Sequence, residues 1–281
     1  MSNARTLALT SFAMTAFAGN SLLCRLALKQ SSMDASSFTA LRLVSGALVL
    51  WLLTRGRHGS RAGGGNWLSA LALFIYAAGF SFAYVSLPAA TGALLLFGAV
   101  QATMIGFGLW TGERFGKLQF AGLVLAFGGL LGLLLPGLAA PPLAGSVLML
   151  GAGVAWGIYS LRGKGASNPT GVTAGNFLRA VPFAIALSLF MLKSTSLDTA
   201  GFWYAVFSGG LTSGIGYALW YAALPGLKAT TAATVQLSVP VIAALGGIAI
   251  LGEPITLRLA WASVAILGGI ALVLLEKPAA H

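Results

Sequence analysis

Apolar runs of about 20 residues, long enough to cross ~30 Å of hydrocarbon as a helix, recur along this chain with short polar or Gly/Pro-rich breaks between them. They predict ten spans, at 6–28, 35–54, 67–86, 88–110, 117–135, 143–161, 173–192, 201–222, 229–251 and 256–275. The breaks in the first half are Ser31 to Asp34, Arg55 to Gly65, Pro88, Gly112 to Gly116 and Pro136 to Pro142. Those in the second half are Gly163 to Thr170, Lys193 to Asp198, Pro225 to Lys228 and Gly252 to Pro254. Gly, Pro, Ser and Asp at these places end regular structure. The narrowest division is Pro88, where two runs nearly touch. Backbone amides in hydrocarbon must be bonded within their own segment, so the runs are helices and not open strands. The expected class is an all-α membrane protein.

The breaks and several span residues occur twice. Gly112-Glu113 recurs as Gly252-Glu253 and Gly128-Gly129 as Gly268-Gly269, both offset by 140 residues. Upstream the offset is 137: Gly79-Phe80 and Tyr84 meet Gly216-Tyr217 and Tyr221, Leu87-Pro88 meets Leu224-Pro225, and Leu41-Arg42 meets Leu178-Arg179. Ala16-Phe17 and Ser21 match Ala155-Trp156 and Ser160 at an offset of 139. The chain therefore divides into repeats at 1–138 and 139–281. Five spans in the first copy leave the second upside down, the inverted-repeat plan in which a binding site lies near mid-membrane between the halves. The first run, with Arg5 before it and Ala16-Phe17-Ala18 near its end, imitates a cleavable signal peptide. Its register with a later span marks it instead as a retained first helix.

Composition agrees: 58% of the 281 residues are hydrophobic and 7% are charged, too little charge to cover a soluble surface. The net charge of +11 is scattered in ones to threes between apolar runs, with no basic face to follow a phosphate backbone, so nucleic acid is not an expected partner. It serves as a topology signal. With the N-terminus inside, Arg5, Arg55, Arg57, Arg61, Arg114, Lys117, Arg162, Lys164, Lys228 and Lys277 fall on the cytoplasmic side. Arg25, Lys29, Lys193 and Arg258 fall outside, and Arg42 and Arg179 lie within spans. The positive-inside tendency then places both termini in the cytoplasm, in the plasma or inner membrane. The lone Cys24 excludes an intramolecular disulfide and a multi-thiolate zinc site.

Enzymatic chemistry lacks its usual groups. The histidines are His58, in a loop, and His281, at the end; the acids Asp34, Glu113, Asp198, Glu253 and Glu276 all fall at span ends. No catalytic triad, HExxH or phosphate-cradling loop can be assembled, and neither an enzyme nor a cofactor is expected. A proton-driven carrier usually keeps a titratable group in its pathway. The middle of span one offers Asn20 instead, which favours a carrier driven by the solute gradient. Glu113 and Glu253 are expected to cap groups at the two faces, with proton coupling through them left open.

Arg42 and Arg179 are repeat-related arginines inside spans, where an unpaired guanidinium costs at least ~2.5–3.5 kcal/mol. Each either snorkels and pairs with carbonyls or meets an anionic group such as a substrate carboxylate. Trp51, Trp67, Trp110, Trp203, Tyr204 and Trp261 sit near span ends, as interfacial aromatics do. Tyr76, Phe80 and Tyr84 recur every four residues on one face of the third span, with Tyr217 and Tyr221 in the corresponding pair. Phe17 and Asn20 of the first copy correspond in place to Trp156 and Tyr159. Packing is the usual role of such stripes, yet their phenols need partners and their recurrence suggests the floor and walls of a cavity. Gln101 and Gln236 add amides, and Thr230, Thr234 and Ser238 either line span nine or bond its carbonyls. Many of the 38 glycines fall inside helices. Gly128, Gly129 and Gly132 suggest one close crossing, and Gly246, Gly247, Gly268 and Gly269 suggest others.

With ten spans, a five-plus-five repeat, a Gly-Glu pair closing the fourth span of each copy and a Gly-Gly in the fifth, the chain resembles the drug/metabolite transporter superfamily, EamA type. In overall sequence it is similar to bacterial exporters of aromatic amino acids. The resemblance implies a basket-like bundle around a central cavity open to one side of the membrane at a time. It implies export of aromatic and large neutral amino acids by alternating access, with Pro88, Pro225 or Pro240 as flexing points. The alternatives are a broad drug or metabolite exporter, with or without proton coupling, and a membrane scaffold or receptor.

Overall fold

A computed structural model describes residues 3–55, 64–112, 116–135, 137, 140–163, 166–227 and 235–275. The helices are α1 (Asn3–Gln30), α2 (Ala35–Arg55), α3 (Trp67–Tyr84), α4 (Ala89–Trp110), α5 (Lys117–Leu134), α6 (Leu143–Gly163) and α7 (Pro169–Phe190). There follow α8 (Thr199–Phe207), a π-helix (Ser208–Ile215) and α9 (Gly216–Ala223), which run end to end as one rod. The last two are α10 (Ser238–Leu251) and α11 (Leu257–Leu275). No strand occurs among the described residues. Among the described residues seven helices, α1 to α7, are long and apolar enough to cross a membrane, and Ser238–Leu251 and Leu257–Val273 are shorter apolar helices.

The polar breaks act as caps. The Asn66 side chain accepts from the Ser69 amide, Asn168 from Gly171 and Asp198 from Gly201. Asp34 accepts from the amides of Ser36 and Ser37. Each satisfies a donor that the first helical turn leaves open. The Asn168 cap, with Pro169 in the first turn, starts α7 four residues before the expected 173, because proline is pre-set for that position. Gly252 ends α10 in the left-handed region at φ +63°, where a side chain would be strained.

Packing is pairwise. α5 lies along α11, α3 along α6, and α2 along α7 and the π-helix. α1 meets α8, α9 and α10, while α4 meets α6 and α10. Glycine permits several crossings, though not all the expected ones. Gly129 faces Ala265 and Ile266, and Gly269 faces the Gly122 carbonyl and Ala126, so Gly122 completes the α5–α11 seam. Gly128, Gly132 and Gly268 face open space instead, since neighbours in a helix cannot all point at one partner. Gly246 meets Leu22 of α1, and Gly247 lies beside Glu253 and Ala89. Two approaches leave no room for a side chain: an added Cβ would land on the Gly64 carbonyl at Gly175 of α7, and on the Arg42 carbonyl at Gly209 of the π-helix. Large exposed apolar side chains such as Phe120, Leu131, Trp110 and Phe190 cover the outer faces, as expected where lipid is the solvent.

Candidate functional site

Trp156 of α6 is the hub of an aromatic cluster at the centre of the bundle. Its ring stacks on Tyr217 at 5.1 Å and on Tyr159 at 5.3 Å, and meets Tyr76 at 4.8 Å. From there the chain of rings continues through Tyr76 to Phe80 at 5.6 Å and through Tyr217 to Phe17 at 5.6 Å. Phe80 passes it to Tyr84, edge to face at 4.7 Å. The period of four on α3 puts its three rings on the inward face. Offset and tilted geometry of this kind adds ~0.5–1.5 kcal/mol per pair beyond area burial.

Beside the rings lies a cavity of about 30 Å³, lined by Phe17, Asn20, Tyr76, Phe80, Trp156, Thr212, Ser213, Tyr217 and Gln236 among others. That volume admits about two waters and no aromatic side chain. One wall is polar. Asn20 Oδ1 accepts from Ser208 Oγ at 2.7 Å, and its Nδ2 donates to the Tyr76 hydroxyl at 3.3 Å. Arg42 Nη2 donates to the same hydroxyl at 2.8 Å, and Arg42 Nε donates to Ser213 Oγ at 3.4 Å. The Arg42 guanidinium is 2% exposed and lies 5.1 Å from the Tyr76 ring centre and 4.8 Å from that of Phe80. Its Nη1 is buried with no hydrogen-bond partner. Among the described residues no carboxylate lies within ion-pairing distance of it.

The structure thus brings Phe17, Asn20, Tyr76, Phe80, Trp156 and Tyr217 together around one space, with Arg42 directly behind Tyr76. The other proposed residues sit apart from that lining. Tyr84 is fully buried and donates to the Ala89 carbonyl, its ring filling the place where Gly92 has no side chain. Tyr159 accepts from Asn176 Nδ2 at 3.4 Å, behind Trp156. Tyr221 packs partly buried against the core, and Gln101 is buried on α4. Arg179 donates to the carbonyls of Gly64 at 2.8 Å and Gly175 at 3.0 Å, the carbonyl-bonded alternative for that residue. Thr230, Thr234 and Glu113 lie outside the described residues.

Sequence reasoning missed Ser208, Thr212 and Ser213. They sit on the π-helix, whose wider turns bring all three inward, and π segments concentrate at functional sites. The signal was present as the run Ser208-Gly209-Gly210-Leu211-Thr212-Ser213-Gly214, a glycine-interrupted stretch within an apolar span.

The two ends of the bundle are tied differently. At one end Arg25 Nε pairs with Glu253 Oε1 at 3.0 Å, and Arg25 Nη1 donates to the carbonyls of Tyr84 at 2.8 Å and Val85 at 3.1 Å. Glu253 Oε2 accepts from the Ala89 amide at 2.7 Å, capping α4. At the other end Arg162 donates to Ser69 Oγ at 3.0 Å and Asn66 Oδ1 at 3.1 Å, joining α6 to the start of α3. Outside the spans, burial would raise the Asp34 carboxyl, but hydrogen bonds from Ser36, Ser37 and Ser196 outweigh it and hold it below the usual range. Asp198 is lowered in the same way, by bonds from Gly201, Ser31 and Ser32. Among the described residues no three His, Cys, Asp or Glu side chains converge to hold a metal.

Against this geometry, the EamA-like transporter family matches residues 143–275. An uncharacterized protein of Pseudomonas aeruginosa is 59% identical over 279 residues, covering 99% of this chain and 97% of that relative. A solved crystal structure, 21% identical, covers 97% of this chain and 98% of its own, with a TM-score of 0.68. That likeness shows a shared fold.

Proposed function

We propose that the chain is a transporter of the EamA-like family, whose model matches residues 143–275, and that it exports amino acids, aromatic and large neutral ones foremost, as a gradient-driven facilitator. The observation that carries this reading is the central cavity, walled by the rings of Phe17, Tyr76, Phe80, Trp156 and Tyr217 and wetted on one side by Asn20, Thr212 and Ser213. Flat apolar side chains bind such walls by stacking and area burial.

Alternating access by two inverted halves is part of the proposal. Helix pairing supports it when the α8–π–α9 rod, α10 and α11 are counted as spans eight, nine and ten. Span three on six is then matched by eight on one, four on six by nine on one, and three on seven by eight on two. Spans two and seven, four and nine, and five and ten pair with each other, contacts that a twofold relation would map onto themselves. The cavity must widen to take an aromatic solute, and the Arg25–Glu253 and Arg162–Asn66 ties are the contacts that opposite openings would break. Both termini are assigned to the cytoplasmic side of the inner membrane.

No acid or histidine lines the cavity among the described residues, which favours a facilitator over a proton-coupled carrier. The Arg42 charge behind the wall disfavours cationic solutes, and so counts against the cationic part of the range that the alternative, a broad drug or metabolite exporter, would carry. In proteoliposomes the protein should pass labelled phenylalanine or tryptophan faster than empty vesicles do, at a rate indifferent to an imposed pH gradient. Flux no faster than the empty control would remove the transport of these solutes, and acceleration by the gradient would remove the uncoupled mechanism.

A further inference from the structure

Arg42 is a fully buried cation with one nitrogen unbonded and no described carboxylate at hand, an arrangement that is expensive in hydrocarbon unless a counter-charge arrives. Its two bonded nitrogens both reach hydroxyls of the cavity wall, Tyr76 and Ser213. A phenol oxygen has two lone pairs and one proton. At Tyr76 the oxygen already receives Arg42 Nη2 and Asn20 Nδ2. The Asn20 orientation is fixed from its far side, where Oδ1 accepts from Ser208. What Tyr76 has left to offer is its proton, polarised by the guanidinium behind it. The groups converging on this hydroxyl are donors, so its surroundings favour an anion.

We infer that the Tyr76 and Ser213 hydroxyls, backed by Arg42, form a carboxylate subsite, and that substrates are aromatic acids recognised through the carboxylate and not through the amine. This deepens the transport reading and rests on it for the occupant, an aromatic solute lying against Trp156. The carboxylate would accept from the Tyr76 proton and supply the negative charge that Arg42 lacks; charge-assisted bonds of this kind are about twice as strong as neutral ones. An ammonium group has no such counterpart. The described lining holds no acid, so an ammonium meets ring faces and hydroxyls within the field of Arg42. Removing the amine therefore leaves affinity intact or improves it.

Equilibrium binding to the detergent-solubilised full chain, by isothermal titration, separates this inference from transport. The probes are 3-phenylpropanoate, its neutral amide, phenylalanine and 2-phenylethylamine. The acid should bind at least about tenfold more tightly than the amide, as loss of a hydrogen bond to a charged group implies. It should also bind no more weakly than phenylalanine, with 2-phenylethylamine weakest. In Tyr76→Phe the acid should lose more affinity than the amide, so that the preference for acid over amide collapses, and Ser213→Ala should reduce the preference partway. Equal binding of acid and amide by the wild-type protein would overturn the subsite. So would a preference unchanged in Tyr76→Phe and Ser213→Ala, or no binding of either probe. If Tyr76→Phe does not fold, the wild-type ratio and Ser213→Ala decide the matter. Acid binding with no flux of phenylalanine in proteoliposomes would sink the transport reading alone.

Discussion

Replacing Glu253 with alanine removes, at one stroke, the counter-ion of Arg25 and the acceptor for the first amide of α4. Both side chains of the pair are at most 9% exposed, so solvent screens their attraction little. Removing one partner of a buried pair costs about 3–5 kcal/mol. The lower end applies here, because Arg25 keeps the carbonyls of Tyr84 and Val85. With about 2–4 °C per kcal/mol for a chain of this size, the melting midpoint in detergent should fall by roughly 6–12 °C. Glu253→Gln keeps an oxygen for the Ala89 amide and loses only the charge, so its fall should be about half as large. Combining Arg25→Met with Glu253→Ala should destabilise by less than the two single changes summed, since each already abolishes the same contact. Cys24 supplies a second readout. It is the only cysteine and is fully buried next to Arg25, so maleimide should label it slowly in the wild type and faster in Glu253→Ala. A Glu253→Ala protein that melts within about 2 °C of the wild type and keeps Cys24 protected would refute the claim that this pair holds its end of the bundle shut.

Gly209→Ala should be strongly destabilising, because its Cβ meets the Arg42 backbone and Ser45; Gly128→Ala, which meets nothing, should shift stability by less than about 1 kcal/mol, both read by thermal unfolding. Trp156→Ala should lower stability by about 3–5 kcal/mol and weaken binding of aromatic ligands, whereas Trp156→Phe should retain much of both, as titration calorimetry would show. The depressed Asp34 carboxyl gives stability that is complete above its unfolded value near ~3.9 and is lost as pH falls through its lower folded value. Acid titration of the unfolding midpoint should therefore show a decline below about pH 4 that is shallower in Asp34→Asn.

The helices were legible because lipid imposes a simple rule: ~20 apolar residues, then a break. Asn66, Asn168 and Asp198 closed those breaks as caps where composition placed them. The aromatic face of α3 followed from a period of four. Three things were hidden. The π-helix widens the turn over only eight residues, so the inward turn of Thr212 and Ser213 left no mark beyond a glycine-rich run. Arg25 counted as an outer-side charge, yet it is buried against Glu253, 228 positions away, and local pattern carries no information at that separation. Arg179 and Tyr84 satisfy themselves on the backbone carbonyls of Gly64 and Ala89, acceptors that any residue type supplies. The side chains that meet at the cavity were thus found by depth and recurrence, and those that do not were indistinguishable from them by the same criteria.

On the proposed transport reading, the Arg42 charge behind the Tyr76 wall of the cavity also acts as an electrical insulator. Hydronium, sodium and potassium approaching Arg42 meet repulsion unrelieved by water, the device by which a fixed guanidinium keeps protons out of a pore. A carrier that widened to pass bulky solutes would otherwise risk draining the ion gradients across the envelope, each worth about 2.3 kcal/mol per charge at 100 mV. On that reading, the guanidinium inferred to back a carboxylate would also let the carrier cycle without discharging the membrane.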